Sequence, residues 1–386
     1  MRVLQPLELP AGPAVLDARR QLLALLNGDA AYLPLPTGDA EHARRLTEAL
    51  ALGEPIDDDA ALVVSTSGTT GTPKGAVHTA ASLRASAEAT AEVLGGPGSW
   101  LLAIPPHHIG GLQVLLRSLA AGYDPVVLDL AAGFDPAALP ACIGAMPGDR
   151  RYTSLVPTQL RKALDDPRAV AALRELDAIL VGGAATPAAL LERSIDAGLP
   201  IVRTYGMSET AGGCVYDGVP LPGVRVRITD QGENGVGRVV LGGATVARGY
   251  RNLPDHPAFA EPGWFRTDDL GAVEADVLRI VGRADEAVTT GGLTIVPQVV
   301  EAVIGEMAGV AECAVLGLPD ERLGEQVVAV IVVDAGIQPP TAVEVREFVS
   351  ARLDRYAAPR QVFVADSLPL RGPGKVDRRA LRDRLS

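Results

Sequence analysis

The sequence predicts an α/β protein: a large N-terminal domain with a doubly wound, mostly parallel sheet and a β subdomain, then a small α+β domain. Three changes of pattern carry this reading. Between residues 60 and 206, short apolar runs alternate with Ala- and Leu-rich stretches, as buried parallel strands joined by helices do. After residue 212 the runs are short, Val-rich and parted by Gly and Pro, an antiparallel signature. After about residue 283, helix-spaced and strand-like segments mix.

Taken in order, the runs at 61–66, 100–105, 124–130, 152–157, 177–183 and 199–206 read as strands. One helix between them is well punctuated, with Thr186 as N-cap, Pro187 at the first helical position and Gly198 just past the end. Segments near 223–229, 236–242 and 276–282 form the β subdomain. Beyond it, Val300, Val303, Ile304 and Met307 keep i, i+3, i+4, i+7 spacing on a helix that Pro297 can start. Residues 311–318 and 325–333 read as strands, and Thr341 with Glu344 as a capping box. The expected domains are 1–283 and 284–386.

The 386 residues are 47% hydrophobic and carry a formal net charge of -12. A sizeable core is available, and the acidic balance opposes nucleic acid or an anionic membrane as main partner. A pocket for a small anion remains compatible with it. Cys142, Cys214 and Cys313 are odd in number and form no CxxC, which fits free thiols in a reducing compartment. The N-terminus lacks the pattern of a signal peptide, and the apolar run 327–333 is too short to span a bilayer. The expectation is a cytoplasmic protein, with a homo-oligomer left open.

The sharpest motif runs from Ser65 to Gly75: Ser65, Thr66, Ser67, Gly68, Thr69, Thr70, Gly71, Thr72, Pro73, Lys74 and Gly75. Glycines let backbone N–H groups approach a phosphate, hydroxyls add neutral donors, and Lys74 adds charge. The run is expected directly after a strand and before a helix. It is not a Walker A loop, because Pro73 stands where the second glycine belongs. A surface turn shares this composition, but not this order and context. The loop resembles the phosphate loop of the adenylate-forming superfamily, which includes acyl-CoA synthetases, adenylation domains and beetle luciferases.

Further motifs follow in the order that resemblance requires, from about residue 58 to the end. In Tyr205-Gly206-Met207-Ser208-Glu209-Thr210, the resemblance implies Tyr205 beside adenine, Ser208 as donor to the α-phosphate and Glu209 as magnesium ligand. A hard cation wants a carboxylate and shares its site with phosphates. Gly182, Gly183 and Ala184 resemble the segment along adenine and acyl substrate. Within Trp264 to Gly271, Asp269 is implied as the ribose ligand, with Asp268 in place of the usual glycine. Arg283 is implied to reach ribose or phosphate, and Asp285 to be the hinge of a mobile C-terminal domain. Gly291 and Gly292 resemble the loop that passes the pantetheine arm, although Leu293 and Thr294 replace the usual Glu and Asn. Lys375, in a Gly- and Pro-flanked motif, is implied to bridge the substrate carboxylate and the α-phosphate.

The resemblance implies an acid–thiol ligase. ATP and Mg2+ serve adenylation of a carboxylic acid, and coenzyme A takes the acyl group. Pro105 to Gly111 resembles the acyl-pocket motif, with His108 in its aromatic position and Thr158, Gly182 and Gly183 as further substrate contacts. The motif has no aspartate to pair with an amino-acid ammonium. The short N-terminal region and the run from Arg203 to Pro220 are similar to the o-succinylbenzoate–CoA ligases of menaquinone biosynthesis, so o-succinylbenzoate is the expected acid. The alternatives are another aryl- or acyl-CoA ligase, a stand-alone adenylation enzyme and an inactive AMP-binding module.

Overall fold

The computed structural model describes residues 2–66, 72–232, 235–334, 336–370 and 374–385. The first sheet has five strands, in the order Pro55–Ile56, Arg2–Leu9, Ala31–Pro36, Ala60–Thr66, Lys74–Thr79. Arg2–Leu9 turns Leu4, Leu7 and Leu9 inward, and every residue of Ala31–Pro36 is buried. Residues 61–66 are therefore a strand as expected, but in a sheet built with the N-terminal segment.

The expected passage from phosphate loop to helix is corrected. Ala60–Thr66 and Lys74–Thr79 pair antiparallel, with Ser65 opposite Gly75 and Thr66 opposite Lys74. The loop thus closes a β-hairpin. The helix Ala80–Val93 starts only afterwards, where Thr79 Oγ1 accepts from the Ser82 amide at 3.1 Å. Gly75 and Ala76 carry weak strand propensity, which hid the second strand in the sequence.

The second sheet has seven strands: Val219–Pro220, Gly212–Tyr216, Ile201–Met207, Ala178–Val181, Arg151–Leu155, Ser99–Leu102 and Val126–Val127 in spatial order. From Ile201–Met207 to Val126–Val127 all neighbours are parallel. Helices Arg19–Asn27, Ala80–Val93 and Ile109–Ala120 fill the space between the two sheets, where Leu22, Leu25, Leu83, Leu112 and Leu116 form one core with Leu7, Leu62, Leu102 and Leu180. A second core of helices covers the far face. The doubly wound α/β class stands, with finer corrections. Residues 124–130 supply only Val126–Val127, at the sheet edge beside Pro125, which has no N–H to donate. The strand expected at 199–206 is Ile201–Met207, so Tyr205 and Gly206 lie on it as expected. Pro187, not Thr186, occupies the N-cap of helix Ala188–Asp196, and makes no side-chain cap.

A four-stranded antiparallel sheet follows: Val224–Thr229, Gly237–Gly243, Trp264–Glu274, Val277–Arg283. The third strand carries the motif around Asp269. It alternates inward and outward, but two inward positions are Thr267 and Asp269, so its period is invisible to hydropathy. The last sheet pairs Val310–Asp320 with Gly324–Val333, and adds Val288–Thr290, Leu293–Ile295 and Gln361–Val364. Helices Pro297–Ile304 and Ala342–Ser350 cover one face and Arg378–Leu385 the other. Met307 falls beyond the first of these helices. The Thr341–Glu344 capping box is formed in both directions, at 3.2 and 2.7 Å.

Candidate active site

The hairpin delivers Ser65, Thr66 and Lys74 to the end of the first sheet. Ser67, Gly68, Thr69, Thr70 and Gly71 lie outside the described residues. Across from the hairpin, strand Ile201–Met207 runs into the short turn Ser208–Thr210, closed by Ala211 in the left-handed region at φ 54. The Ser208 hydroxyl donates to the Ser65 carbonyl at 3.0 Å, so Ser208 stands at the foot of the loop. Glu209 is buried and accepts from the Tyr250 hydroxyl at 2.6 Å. Lys74 Nζ lies 4.8 Å from the centroid of the same Tyr250 ring, a cation–π distance. Burial raises the Glu209 carboxyl above its usual range, while Tyr250, Lys74 and Lys375 pull it back. Residues 74, 209, 250 and 375 thus share one electrostatic neighbourhood.

Of the two adjacent aspartates, strand alternation turns Asp269 inward and leaves Asp268 outside. Asp269 accepts from the Tyr205 hydroxyl at 2.6 Å and from Arg283 at 3.3 Å. Its carboxyl is raised by burial, then lowered by Tyr205, Arg283 and Lys375. Arg283 also grips Asp285 through two bonds of 2.8 Å. Asp285 follows the last strand of the antiparallel sheet, in the turn Ala284–Glu286.

The residues expected to contact the acid lie largely in loops that follow parallel strands, where ligands of open α/β sheets bind. Gly182 lies against Thr204, whose Oγ1 would sit 2.3 Å from an added Cβ, and Gly183 has φ +82. Thr158 is half-buried in the first turn of helix Pro157–Leu164. Gly374 approaches the same place: a Cβ there would lie 3.3 Å from the Val156 Cβ and 3.8 Å from Ala184. His108, the N-cap residue of helix Ile109–Ala120, is lowered to about 3 by burial, with His107, His42 and Lys375 adding to the effect. The rings of His107 and His108 are 4.2 Å apart, and His42 is 6.2 Å from His107.

The chain is anchored three residues after Lys375. Arg378 pairs with Glu286 at 2.9 Å and with Glu301, and donates to the Val315 carbonyl at 3.1 Å. Residues 371–373 of that motif lie outside the described residues. Gly291 and Gly292 form an exposed turn, with the Gly291 amide on the Leu323 carbonyl at 2.9 Å. Next to this turn is a cavity of about 470 Å³, lined by Thr290, Leu323, Arg346, Arg355, Tyr356 and Arg360 among others.

The donor set fits a nucleotide phosphate and a divalent cation. Thr66 Oγ1 is buried without a hydrogen-bond partner among the described residues, so it is open to a further partner such as a phosphate oxygen. No group of three His, Cys, Asp or Glu residues able to hold a metal occurs among the described residues. A cation held by Glu209 would therefore complete its shell from phosphate and water, as magnesium does. Sequence reasoning missed Tyr250, His78 and Asn252. Asn252 accepts from the Gly75 amide at 3.2 Å and donates to the Pro73 carbonyl at 2.9 Å, pinning the hairpin's exit. These residues come from the stretch 247–252 or from the strand Lys74–Thr79, and no local pattern marks them.

The profile described as AMP-binding enzyme matches residues 16–251, and the profile of the AMP-binding enzyme C-terminal domain matches 299–375. A Mycobacterium tuberculosis protein named probable 2-succinylbenzoate–CoA ligase is 55% identical over 387 residues, covering 99% of each chain. The 2-succinylbenzoate–CoA ligase of a Listeria monocytogenes strain is 33% identical, covering 88% of this chain and 73% of that one. Among solved structures, o-succinylbenzoate CoA synthetase from Bacillus subtilis with the acyl-adenylate OSB-AMP superposes with a TM-score of 0.81 at 26% identity, covering 100% of this chain and 88% of that one. The same enzyme with ATP and magnesium gives 0.81 at 25%, with 100% and 90% covered.

Proposed function

The chain belongs to the AMP-binding enzyme family, and on that premise we propose that it is an ATP-dependent acid–CoA ligase acting on 2-succinylbenzoate. One observation carries the chemistry: Lys74 Nζ lies 4.8 Å from the centroid of the Tyr250 ring, whose hydroxyl holds the Glu209 carboxylate at 2.6 Å, and the charge of Lys375, 301 positions along the chain from Lys74, also lowers that carboxyl. A carboxylate attacking ATP brings anion to anion. A site for that step must gather positive charge around the α-phosphate.

In this reading, Ser65, Thr66 and the loop amides hold phosphates, Ser208 donates to the α-phosphate, and Tyr205, Gly206 and Ala184 flank adenine. Asp269 takes the ribose hydroxyls, with Arg283 beside it. Glu209 would hold magnesium, which supplies charge neutralisation when bound. Lys375 orients the attacking carboxylate. Pyrophosphate leaves and an acyl-adenylate remains. The thiol of coenzyme A then attacks the acyl carbon and AMP departs.

Coenzyme A would arrive on the Gly291–Gly292 side. Arg346, Arg355 and Arg360 in the adjoining cavity suit its phosphates, and Tyr356 supplies a ring for stacking. His108, Thr158, Gly182 and Gly183 frame the acid. Because His108 stays neutral, it can donate a hydrogen bond to the substrate without adding a proton-dependent charge. We place the enzyme in the cytoplasm. The three free thiols support this, and among the described residues no helix is long and apolar enough to cross a membrane.

A pyrophosphate-release assay over a panel of acids tests the assignment. 2-Succinylbenzoate is expected to give the highest kcat/KM, because a site built for polar substituents rejects analogues that lack them. Higher efficiency with benzoate or a medium-chain fatty acid would leave the ligase and remove the named acid.

A further inference from the structure

One fully buried titratable side chain joins the phosphate hairpin to the turn that carries Glu209. His78 lies on strand Lys74–Thr79 and has no exposed surface. Its Nε2 is 2.6 Å from the Ser208 carbonyl oxygen, and its Nδ1 is 3.2 Å from Ser82 Oγ. A carbonyl only accepts, so Nε2 carries the proton and donates. The carbonyl it holds belongs to the peptide that links Ser208 to Glu209.

That peptide aims two functional groups. The Ser208 hydroxyl goes to the Ser65 carbonyl and the Glu209 carboxylate to Tyr250. The Glu209 carbonyl is also fixed, by the Ala247 amide at 2.8 Å. Downstream, the Ala211 carbonyl accepts from Ser86 Oγ at 3.1 Å and Gln113 Nε2 at 2.8 Å. Among these anchors, His78 alone belongs to the strand that begins with Lys74. Strand alternation puts Lys74, Ala76 and His78 on one face. Lys74 faces Tyr250, Ala76 is bridged to Tyr250 through the backbone, and His78 reaches Ser208. One strand face thus registers the loop's charge against the carboxylate.

We propose that His78 is a positioning residue: its Nε2–H bond to the Ser208 carbonyl sets Ser208 and Glu209 relative to Lys74, and so sets the affinity for the divalent cation that accompanies ATP. The proposal rests on the reading of Glu209 as the magnesium ligand. An apolar residue of similar volume would fill the space and leave the Ser208 carbonyl without its donor.

Three variants separate donor from filler. His78→Gln keeps an N–H at the Nε2 position, His78→Asn places its amide near Nδ1, on the side of Ser82, and His78→Leu has no donor. Mn2+ binding is followed by electron paramagnetic resonance in the presence of a non-hydrolysable ATP analogue, and the half-activating Mg2+ concentration by pyrophosphate exchange. His78→Leu and His78→Asn are expected to bind Mn2+ about 10- to 100-fold more weakly, the usual effect of losing an outer-shell partner. His78→Gln should restore binding to within a few-fold of the parent, and the half-activating Mg2+ concentration should follow the same order. Parent-like Mn2+ binding by His78→Leu, or equal loss in Gln and Asn, overturns the positioning role. If His78→Leu does not fold, the Gln–Asn comparison decides alone. Glu209→Gln is the control: undiminished Mn2+ binding there overturns the metal reading and the proposal with it, whereas loss there with parent-like binding in His78→Leu overturns only the proposal.

Discussion

Glu209 gives up most of its water on folding, and its surroundings recover only part of that loss. Burial raises its carboxyl, and one hydroxyl and two lysine charges lower it again. On the proposed reading, magnesium would supply the missing counter-charge. Glu209→Gln keeps an acceptor for Tyr250 and removes the charge, so the fold should survive while adenylation falls by about 10²-fold or more, measured as pyrophosphate exchange. A near-normal rate and magnesium dependence would exclude Glu209 as the ligand. The buried histidines supply a second residue-scale prediction. Burial lowers His78 to about 4 from an ordinary value of 6.5. Between those values the unfolded chain binds a proton that the folded chain refuses, so this contribution to stability is full above pH 6.5 and is lost as pH falls toward 4. His107, at about 4, and His108, at about 3, have the same sign. For His78 alone, going from pH 7 to pH 5 removes about 2 kcal/mol. Denaturant melts should show that fall, and His78→Gln should flatten its share of it.

At the scale of elements, the site depends on how closely two strands approach. Gly206, on Ile201–Met207, faces Gly212 and Gly213 on the neighbouring antiparallel strand, and a Cβ would meet the Gly212 carbonyl oxygen at 2.1 Å and the Gly213 Cα at 2.7 Å. Backbone on both sides cannot yield as a flexible side chain can. Gly206→Ala should therefore destabilise the protein by about 1–3 kcal/mol, as overpacking does, and weaken ATP binding through the displaced Ser208–Thr210 turn. Chemical denaturation and calorimetry with ATP check the two effects separately. An Ala variant as stable as the parent would show that the strands can part.

Across the whole molecule, the charges of Lys74 and Lys375 both lower the Glu209 carboxyl, yet the Gly291–Gly292 turn belongs to another edge of the C-terminal sheet. Lys375 is tied to that sheet through Arg378, and Gly291 through Leu323. We therefore expect the two half-reactions to separate, by a rotation of the C-terminal domain about Asp285. Lys375→Ala should lose adenylate formation by about 10²–10³-fold, and still convert supplied acyl-adenylate to thioester. Gly292→Leu should retain pyrophosphate exchange and fail in thioester formation. Gly292 has φ +83, so a leucine there also strains the turn, and a melting curve should accompany the assay. Single-turnover measurement of each step decides: equal loss of both steps in both variants points to one fixed geometry.

The sequence by itself determined the α/β class, the run of parallel strands, the capping box at Thr341 and the order of the phosphate, Glu209 and Lys375 motifs. Those signals are local: hydrophobic period, turn residues and contiguous side-chain chemistry. Only the tertiary structure decided that the phosphate loop closes a hairpin, that residues 61–66 pair with the N-terminal strands, and that Asp269 rather than Asp268 faces Tyr205. It alone brought Tyr250, His78 and Asn252 to the site. Their roles lie in hydrogen bonds to residues 41, 130 and 177 positions away, and no short-range pattern can encode a partner at that distance. Trp264–Glu274 stayed hidden for the complementary reason: its inward face carries the polar groups of the site, so the period that marks a strand elsewhere is cancelled where function requires charge inside.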